Sequence, residues 1–183
     1  MFQQLLARLA GEFDVRQLPY MVIGGQAVLV HGEPRLTRDI DVTIGATPDA
    51  LEDVLGAVRH VGLKPLVENL HEFVRDTWVL PCGDIQSGIR VDLMFSFTAF
   101  EREAMNRAVS VRMDNRTVRV ATAEDLVILK ILAARPRDLE DARTVLLKNP
   151  ALDHSYVTRC LTELEADTGY PLLERLQQVS PKS

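Results

Sequence analysis

Asp39 and Asp41 stand two residues apart in the run "DIDVTI" (39–44), where the alternating positions Ile40, Val42 and Ile44 are branched and apolar. A period of two marks a strand, with both acids and Thr43 on one face and the apolar set on the other. Along such a strand the two acids sit roughly 6.5–7 Å apart at the backbone, and their carboxylates can converge. Like charges held together repel unless a cation lies between them. The chemistry that rewards this arrangement is phosphoryl transfer, in which two metal ions about 3.5–4 Å apart clamp the attacking and leaving oxygens. Mg2+ (or Mn2+) suits an all-oxygen donor set, because Mg2+ takes one or two carboxylates and fills its shell with water and substrate phosphate. An isolated Asp-x-Asp is more simply a solvated strand face. A third acid changes the balance: Asp92 in "IRVDLMF" (89–95) lies between Val91 and Leu93, again where packing favours an apolar residue.

Upstream of the acids, "PYMVIGG" (19–25) reads as a buried strand that stops at Gly24 and Gly25. A strand, a Gly-Gly turn and a helix start leave backbone N–H groups free to hold phosphate. Taken alone the pair is a tight turn; placed before the acids, it lets a triphosphate bridge glycines and metals. Arg35, Thr37 and Arg38 immediately precede the acids and are candidate phosphate contacts, with a solvated loop as the plain reading.

These residues need elements to position them. Leu5, Leu6, Leu9 and Phe13 recur at helical spacing, which predicts a helix over 2–17. A short helix is expected from Ala27 to His31, ended by "GEP", and another after Thr47-Pro48-Asp49. "TWVLPCG" and "GIRVDLMFS" read as two strands joined by a polar turn at 83–88, "TAFEREAMNRAV" as a helix, and "VRMDNRTVRV" as a hairpin around Asp114-Asn115. Thr122 to Asp125 form a capping box ahead of "DLVILKILAAR". Pro136 ends or kinks that helix, the remainder is helical, and "SPKS" (180–183) should fray. Composition shifts near residue 121, so 1–120 reads as the catalytic core and 121–183 as a helical C-terminal extension packed on it.

The chain has 183 residues, 46% hydrophobic and 26% charged, with net charge −5. That balance is globular, and it disfavours a protein that coats nucleic acid. Cys82 and Cys160 have no ligand spacing, the N-terminal helix carries charges, and no apolar run approaches the roughly 20 residues of a membrane span. A cytoplasmic protein with no membrane association is expected. His31, His60, His71 and His154 show no ligand spacing, which weighs against a metal phosphodiesterase, and Trp78 reads as core. No Walker loop or Gly-x-Gly-x-x-Gly is present.

The order strand, Gly-Gly, helix, Asp-x-Asp strand and lone strand Asp resembles the DNA polymerase β-like nucleotidyltransferases over residues 20–95. The strings "GGQAVLVHGEPRLTRDIDV", "VLPCGDIQSGIRVDLMFSFTAFEREA" and "EDLVILKILAARPRDLEDA" are more narrowly similar to the AbiEii-type branch, many members of which are toxins of toxin–antitoxin systems. The resemblance implies an α/β (α+β) fold with a mixed sheet flanked by helices. It implies an enzyme that transfers NMP from an NTP to a hydroxyl and releases pyrophosphate, a nucleotidyltransferase of class 2.7.7. Gly24 and Gly25 would cradle the triphosphate, Asp39 and Asp41 would hold two metal ions, and Asp92 would complete the second metal site. Lys130, in an apolar helical stretch, would face the nucleotide from the edge of the buried stripe, with a snorkelling lysine as the plain reading. The superfamily often carries Ser at the second glycine position; Gly25 has no hydroxyl, so phosphate binding there rests on backbone N–H groups. The acceptor is open among a tRNA end, a protein side chain and a small molecule such as an aminoglycoside. Arg102, Arg107, Arg112, Arg116 and Arg119 form a basic stretch that could guide RNA or equally be a solvated face, and an antitoxin is a candidate partner. The alternative is a non-catalytic module of the same fold acting in a protein complex.

Overall fold

A computed structural model describes residues 1–96 and 98–181. The chain forms two compact units, one from Met1–Gln26 and Leu36–Val120, the other from Ala27–Arg35 and the chain from Ala121 onward.

The first unit is a seven-stranded mixed sheet with helices. Helix α1 (Phe2–Val15) buries Leu5, Leu6, Leu9 and Phe13, the stripe its periodicity predicts. It stops two residues earlier than expected, where Gln17 turns at φ 54. Strand β1 (Tyr20–Ile23) runs directly into α2 (Gly24–His31), three residues earlier than the expected helix start. Gly24 makes this junction without a spacer because it adopts φ +60, open to a residue lacking Cβ. β2 (Asp39–Ile44) buries Ile40, Val42 and Ile44, as the alternation requires. A 3-10 turn at Pro48–Ala50 leads to α3 (Leu51–His60).

Two elements carry little sequence signal: β3 (Leu63–Pro65) and α4 (Leu70–Thr77). Each is short, and Val74 is the one buried residue of α4. Trp78 does not enter the core. It is half-buried and caps α4 at φ 58. Then follow β4 (Val79–Asp84), β5 (Arg90–Phe95), α5 (Ala99–Arg107), β6 (Val109–Met113) and β7 (Arg116–Val120). Thr98 and Glu101 form a reciprocal capping box at the start of α5. The strand order is β3-β4-β5-β2-β1-β7-β6, which places β2 centrally, antiparallel to β1 and parallel to β5.

The second unit holds α6 (Ala123–Ala133), α7 (Pro136–Lys148), α8 (His154–Thr168) and α9 (Leu172–Val179). Thr122 caps α6 by accepting from the Asp125 N–H, and Pro136 opens α7 after Ala134 reverses the chain at φ 52. Of the segment expected to fray, Lys182 and Ser183 lie outside the described residues. The stretch 27–35 belongs with these helices: His31 Nε2 bonds the Ala121 carbonyl, the Asn149 amide donates to the His31 carbonyl, and Arg35 pairs with Asp141.

Beneath that stretch lies a buried ion network. Lys130 Nζ stands 2.7 Å from Asp138 Oδ1 and 2.8 Å from Asp141 Oδ2, and it is only 6% exposed. Arg35 grips both oxygens of Asp141, at 2.7 and 2.8 Å, and Arg135 donates to Asp138. Burial alone would raise the Asp138 carboxyl, but hydrogen bonds from Arg135 and Lys130 outweigh it and hold the group below the usual carboxylate range. A depressed carboxyl contributes stability above the unfolded-state pKa and loses it as pH falls through the folded one. Asp138→Asn should therefore cost about 1.5–3 kcal/mol at neutral pH. The gap between wild type and variant should narrow as pH falls below about 4, as read from urea midpoints across that range.

Candidate active site

The pairing of β2 with β5 builds the site. In register, Asp39 stands beside Arg90 and Asp41 beside Asp92. Strand neighbours in register share a face, roughly 4.8 Å apart. Asp39, Asp41 and Asp92 therefore occupy one face of two central strands, together with Arg90. All three acids are half-buried. Among the described residues, no three His, Cys, Asp or Glu side chains are already drawn around a common metal position. Asp92 is instead engaged by Arg90, whose Nε donates to Oδ1 at 2.9 Å and Oδ2 at 3.0 Å. The hydrogen bond to Asp92, then the charge of Asp92 and those of Asp39 and Asp41, hold the Arg90 guanidinium more firmly protonated than usual.

The glycine turn meets the acids directly. Ile23 pairs with Asp41 across β1 and β2, so the next residue, Gly24, lies against the Asp41 side chain. A Cβ on Gly24 would fall 1.9 Å from Asp41 Oδ2 and 2.9 Å from Asp41 Cβ. Only glycine fits, for its conformation and for its lack of volume. The first N–H groups of α2 have no partner within the helix. In the same turn, Gln26 is buried and its Nε2 has no hydrogen-bond partner. An orphaned buried amide is rare and calls for a reason.

The other candidates are placed as follows. Thr37 lies against Asp39, its hydroxyl donating to the Asp39 carbonyl at 3.2 Å and to Oδ1 at 3.3 Å. Arg38 is exposed. Arg35 and Lys130 belong to the second unit, where both are engaged by Asp141. The expected position of Lys130 at the edge of its helical stripe is not observed: the ammonium is buried between two carboxylates. Spacing along one helix could not reveal this, because both partners sit on the next helix. In the basic stretch, Arg119 donates to the carbonyls of Met105 and Asn106.

Sequence reasoning passed over Arg90 and Gln26. The signal for Arg90 was its spacing of two from Asp92, the same period that groups Asp39 with Asp41. Nothing in the sequence marks Gln26. Cys82, on the neighbouring strand β4, is fully buried; burial pushes its thiol up to about 12 and the Asp92 charge adds to the rise, so it is no nucleophile.

Residues 2–177 match the family model described as "Nucleotidyltransferase of unknown function (DUF6036)". The chain belongs to this nucleotidyltransferase family. No curated protein matches it. Solved structures share the fold at low identity. ANT(2'')-Ia in complex with adenylyl-2''-tobramycin is 18% identical with TM-score 0.58, covering 85% of this chain and 92% of that one. An antigenic nucleotidyltransferase-like protein from Paracoccidioides brasiliensis is 17% identical with TM-score 0.58, covering 99% and 94%. The lincomycin-bound lincosamide antibiotic adenylyltransferase LnuA is 14% identical with TM-score 0.51, covering 73% and 89%. Among the described residues no helix is long and apolar enough to cross a membrane.

The contact between Gly24 and Asp41 can be tested against a glycine that carries conformational strain alone. Gly88 has φ +71 and open space where a Cβ would lie. Gly88→Ala should cost about 1–2 kcal/mol, the price of a left-handed residue with a side chain. Gly24→Ala should lose at least about 1 kcal/mol more, because Asp41 must also move. Equilibrium unfolding of the two variants in parallel measures the difference.

Proposed function

We propose that this protein transfers a nucleoside monophosphate from an NTP to a hydroxyl acceptor and releases pyrophosphate. The observation that carries the reading is the packing of Gly24 on Asp41, which sets the start of α2 against an acid cluster in a nucleotidyltransferase-family chain. The donor set is all carboxylate oxygen, which fits Mg2+ or Mn2+. Asp39, Asp41 and Asp92 would hold the ions, two in the full reading. Bound there, they would supply Lewis-acid charge at the attacking and leaving oxygens.

The chain's own residues do the rest. The N–H groups of Gly24 and Gly25 receive the triphosphate at the start of α2, and Gln26 brings an amide donor to the same turn. Thr37 orients Asp39 through its hydroxyl. Arg38, exposed in the loop before β2, would meet phosphate from there. Asp92 accepts the proton of the attacking hydroxyl or orients that hydroxyl through a hydrogen bond. Most of the rate enhancement then comes from positioning and fixed charge rather than covalent chemistry. Arg35 and Lys130, each satisfied by buried carboxylates, serve in this reading to hold the chain before β2.

A small hydroxylated acceptor is the favoured substrate class, because ANT(2'')-Ia and LnuA, which share the fold, are named with such molecules. The AbiEii-type reading, a toxin modifying tRNA or protein beside an antitoxin, rests on the quoted sequence strings. The Arg90–Asp92 pair is the one observation that favours a non-catalytic module, since it already neutralises an acid of the cluster.

Incubation with each labelled NTP, divalent metal and either a panel of hydroxylated antibiotics or a cell extract separates these readings. Label on a small molecule with stoichiometric pyrophosphate is the expected result; label on RNA or protein would move the acceptor to the toxin class, and no transfer to either would leave the binding module. Asp41→Asn should lower turnover by at least about a hundred-fold, roughly 2.7 kcal/mol of transition-state stabilisation. Its unfolding midpoint should hold or rise slightly, because one of the repelling charges is gone.

A further inference from the structure

The facing positions of β2 and β5 hold three carboxylates and one guanidinium, with Arg90 beside Asp39 and Asp92 beside Asp41. Arg90 and Asp92 are two residues apart on one strand, so strand geometry already directs both to the same face. The bond from Arg90 Nε is shared between the two oxygens of Asp92, leaving that carboxylate fewer lone pairs for anything else. The Arg90 side chain is 55% exposed and that of Asp92 18%. A guanidinium so exposed regains water on leaving, and an exposed ion pair is weak enough to break. The pair is therefore formed but displaceable. It sits where the proposed metals and triphosphate would meet.

We propose that Arg90 is a resident counter-ion of the acid cluster, which a divalent ion must displace from Asp92 and which then turns to the nucleotide phosphates. The inference rests on the metal-dependent reading above. Its consequence is cooperativity. Without nucleotide, Arg90 competes with the metal for Asp92. With nucleotide, the displaced guanidinium finds phosphate oxygens that match its planar fork. Nucleotide should therefore tighten metal binding, and metal should tighten nucleotide binding by the same factor.

Titration with Mn2+, followed by electron paramagnetic resonance of the free ion, tests this without turnover. In the absence of nucleotide, Arg90→Gln should bind Mn2+ about five-fold more tightly than wild type, corresponding to roughly 1 kcal/mol. Arg90→Lys keeps the charge but loses the fork, and should fall between the two. A non-hydrolysable NTP analogue should tighten Mn2+ binding in wild type by a larger factor than in Arg90→Gln. Circular dichroism establishes that the variants fold; if Arg90→Gln does not, tighter binding by Arg90→Lys, by about two-fold, carries the comparison. Equal Mn2+ affinities in wild type and variants, with binding still abolished by Asp92→Asn, would overturn the role of Arg90 and leave the metal site standing. No Mn2+ binding by any form would overturn the metal-dependent reading and this inference together.

Discussion

The parallel pairing of β2 with β5 sets a constraint on everything else in the first unit. Register places Asp41 beside Asp92, and strand periodicity adds Asp39 on the same face. Two like charges at about 4 Å repel by about 1 kcal/mol in water and about 4 kcal/mol near a protein surface. Such a cluster persists only if the surrounding sheet is strong enough to hold it and a cation relieves it. The sheet meets the first requirement with the opposite face of β2, where Ile40, Val42 and Ile44 are fully buried. Arg90 meets the second within the same pair of strands. The cluster is thus a stressed arrangement on a stable support, the pattern expected where function rather than packing chose the residues.

The glycine junction follows from the same constraint. Asp41 needs space on its own strand face, and β1 lies antiparallel to β2 on the other side of it. The residue leaving β1 must turn immediately and must carry no side chain. Gly24 does both. The turn brings the first N–H groups of α2, which have no partner within the helix, beside the Asp41 carboxylate.

In the second unit charge is managed differently. Lys130, Asp138 and Asp141 are nearly excluded from water and satisfy one another, with Arg35 and Arg135 at the margins. Nearby, Asp125 is fully buried and accepts hydrogen bonds from Thr122 and Tyr156. Burial, then that bond to Asp125, raises the Tyr156 hydroxyl well above its ordinary pKa and keeps it protonated. Such networks contribute little net stability against an apolar core of equal volume, yet removing one member is costly. Their partners span the segment 27–35 and the helices after residue 121, so they specify which pieces of chain belong together.

By itself the sequence determined the strand carrying Asp39 and Asp41, its buried and polar faces, the first helix, the hairpin around Asp114-Asn115 and the capped start of α6. Each of these is a local rule: a period of two or 3.6, a turn-forming pair, a capping residue. The sequence also singled out all three acids, since a charge among branched apolar neighbours is visible without any fold. Tertiary structure alone decided that Asp92 lies beside Asp41, because strand order and register join segments fifty residues apart. It alone decided that Gly24 abuts Asp41, that Arg90 pairs with Asp92, and that Lys130 is enclosed by carboxylates from the following helix. The short β3 and α4 formed where local preference is weak and pairing with β4 and burial of Val74 made up the difference. The division follows physical range. Periodicity acts over a few residues and is written along the chain, whereas the partner of a charge is set by whatever the fold brings within a few ångströms.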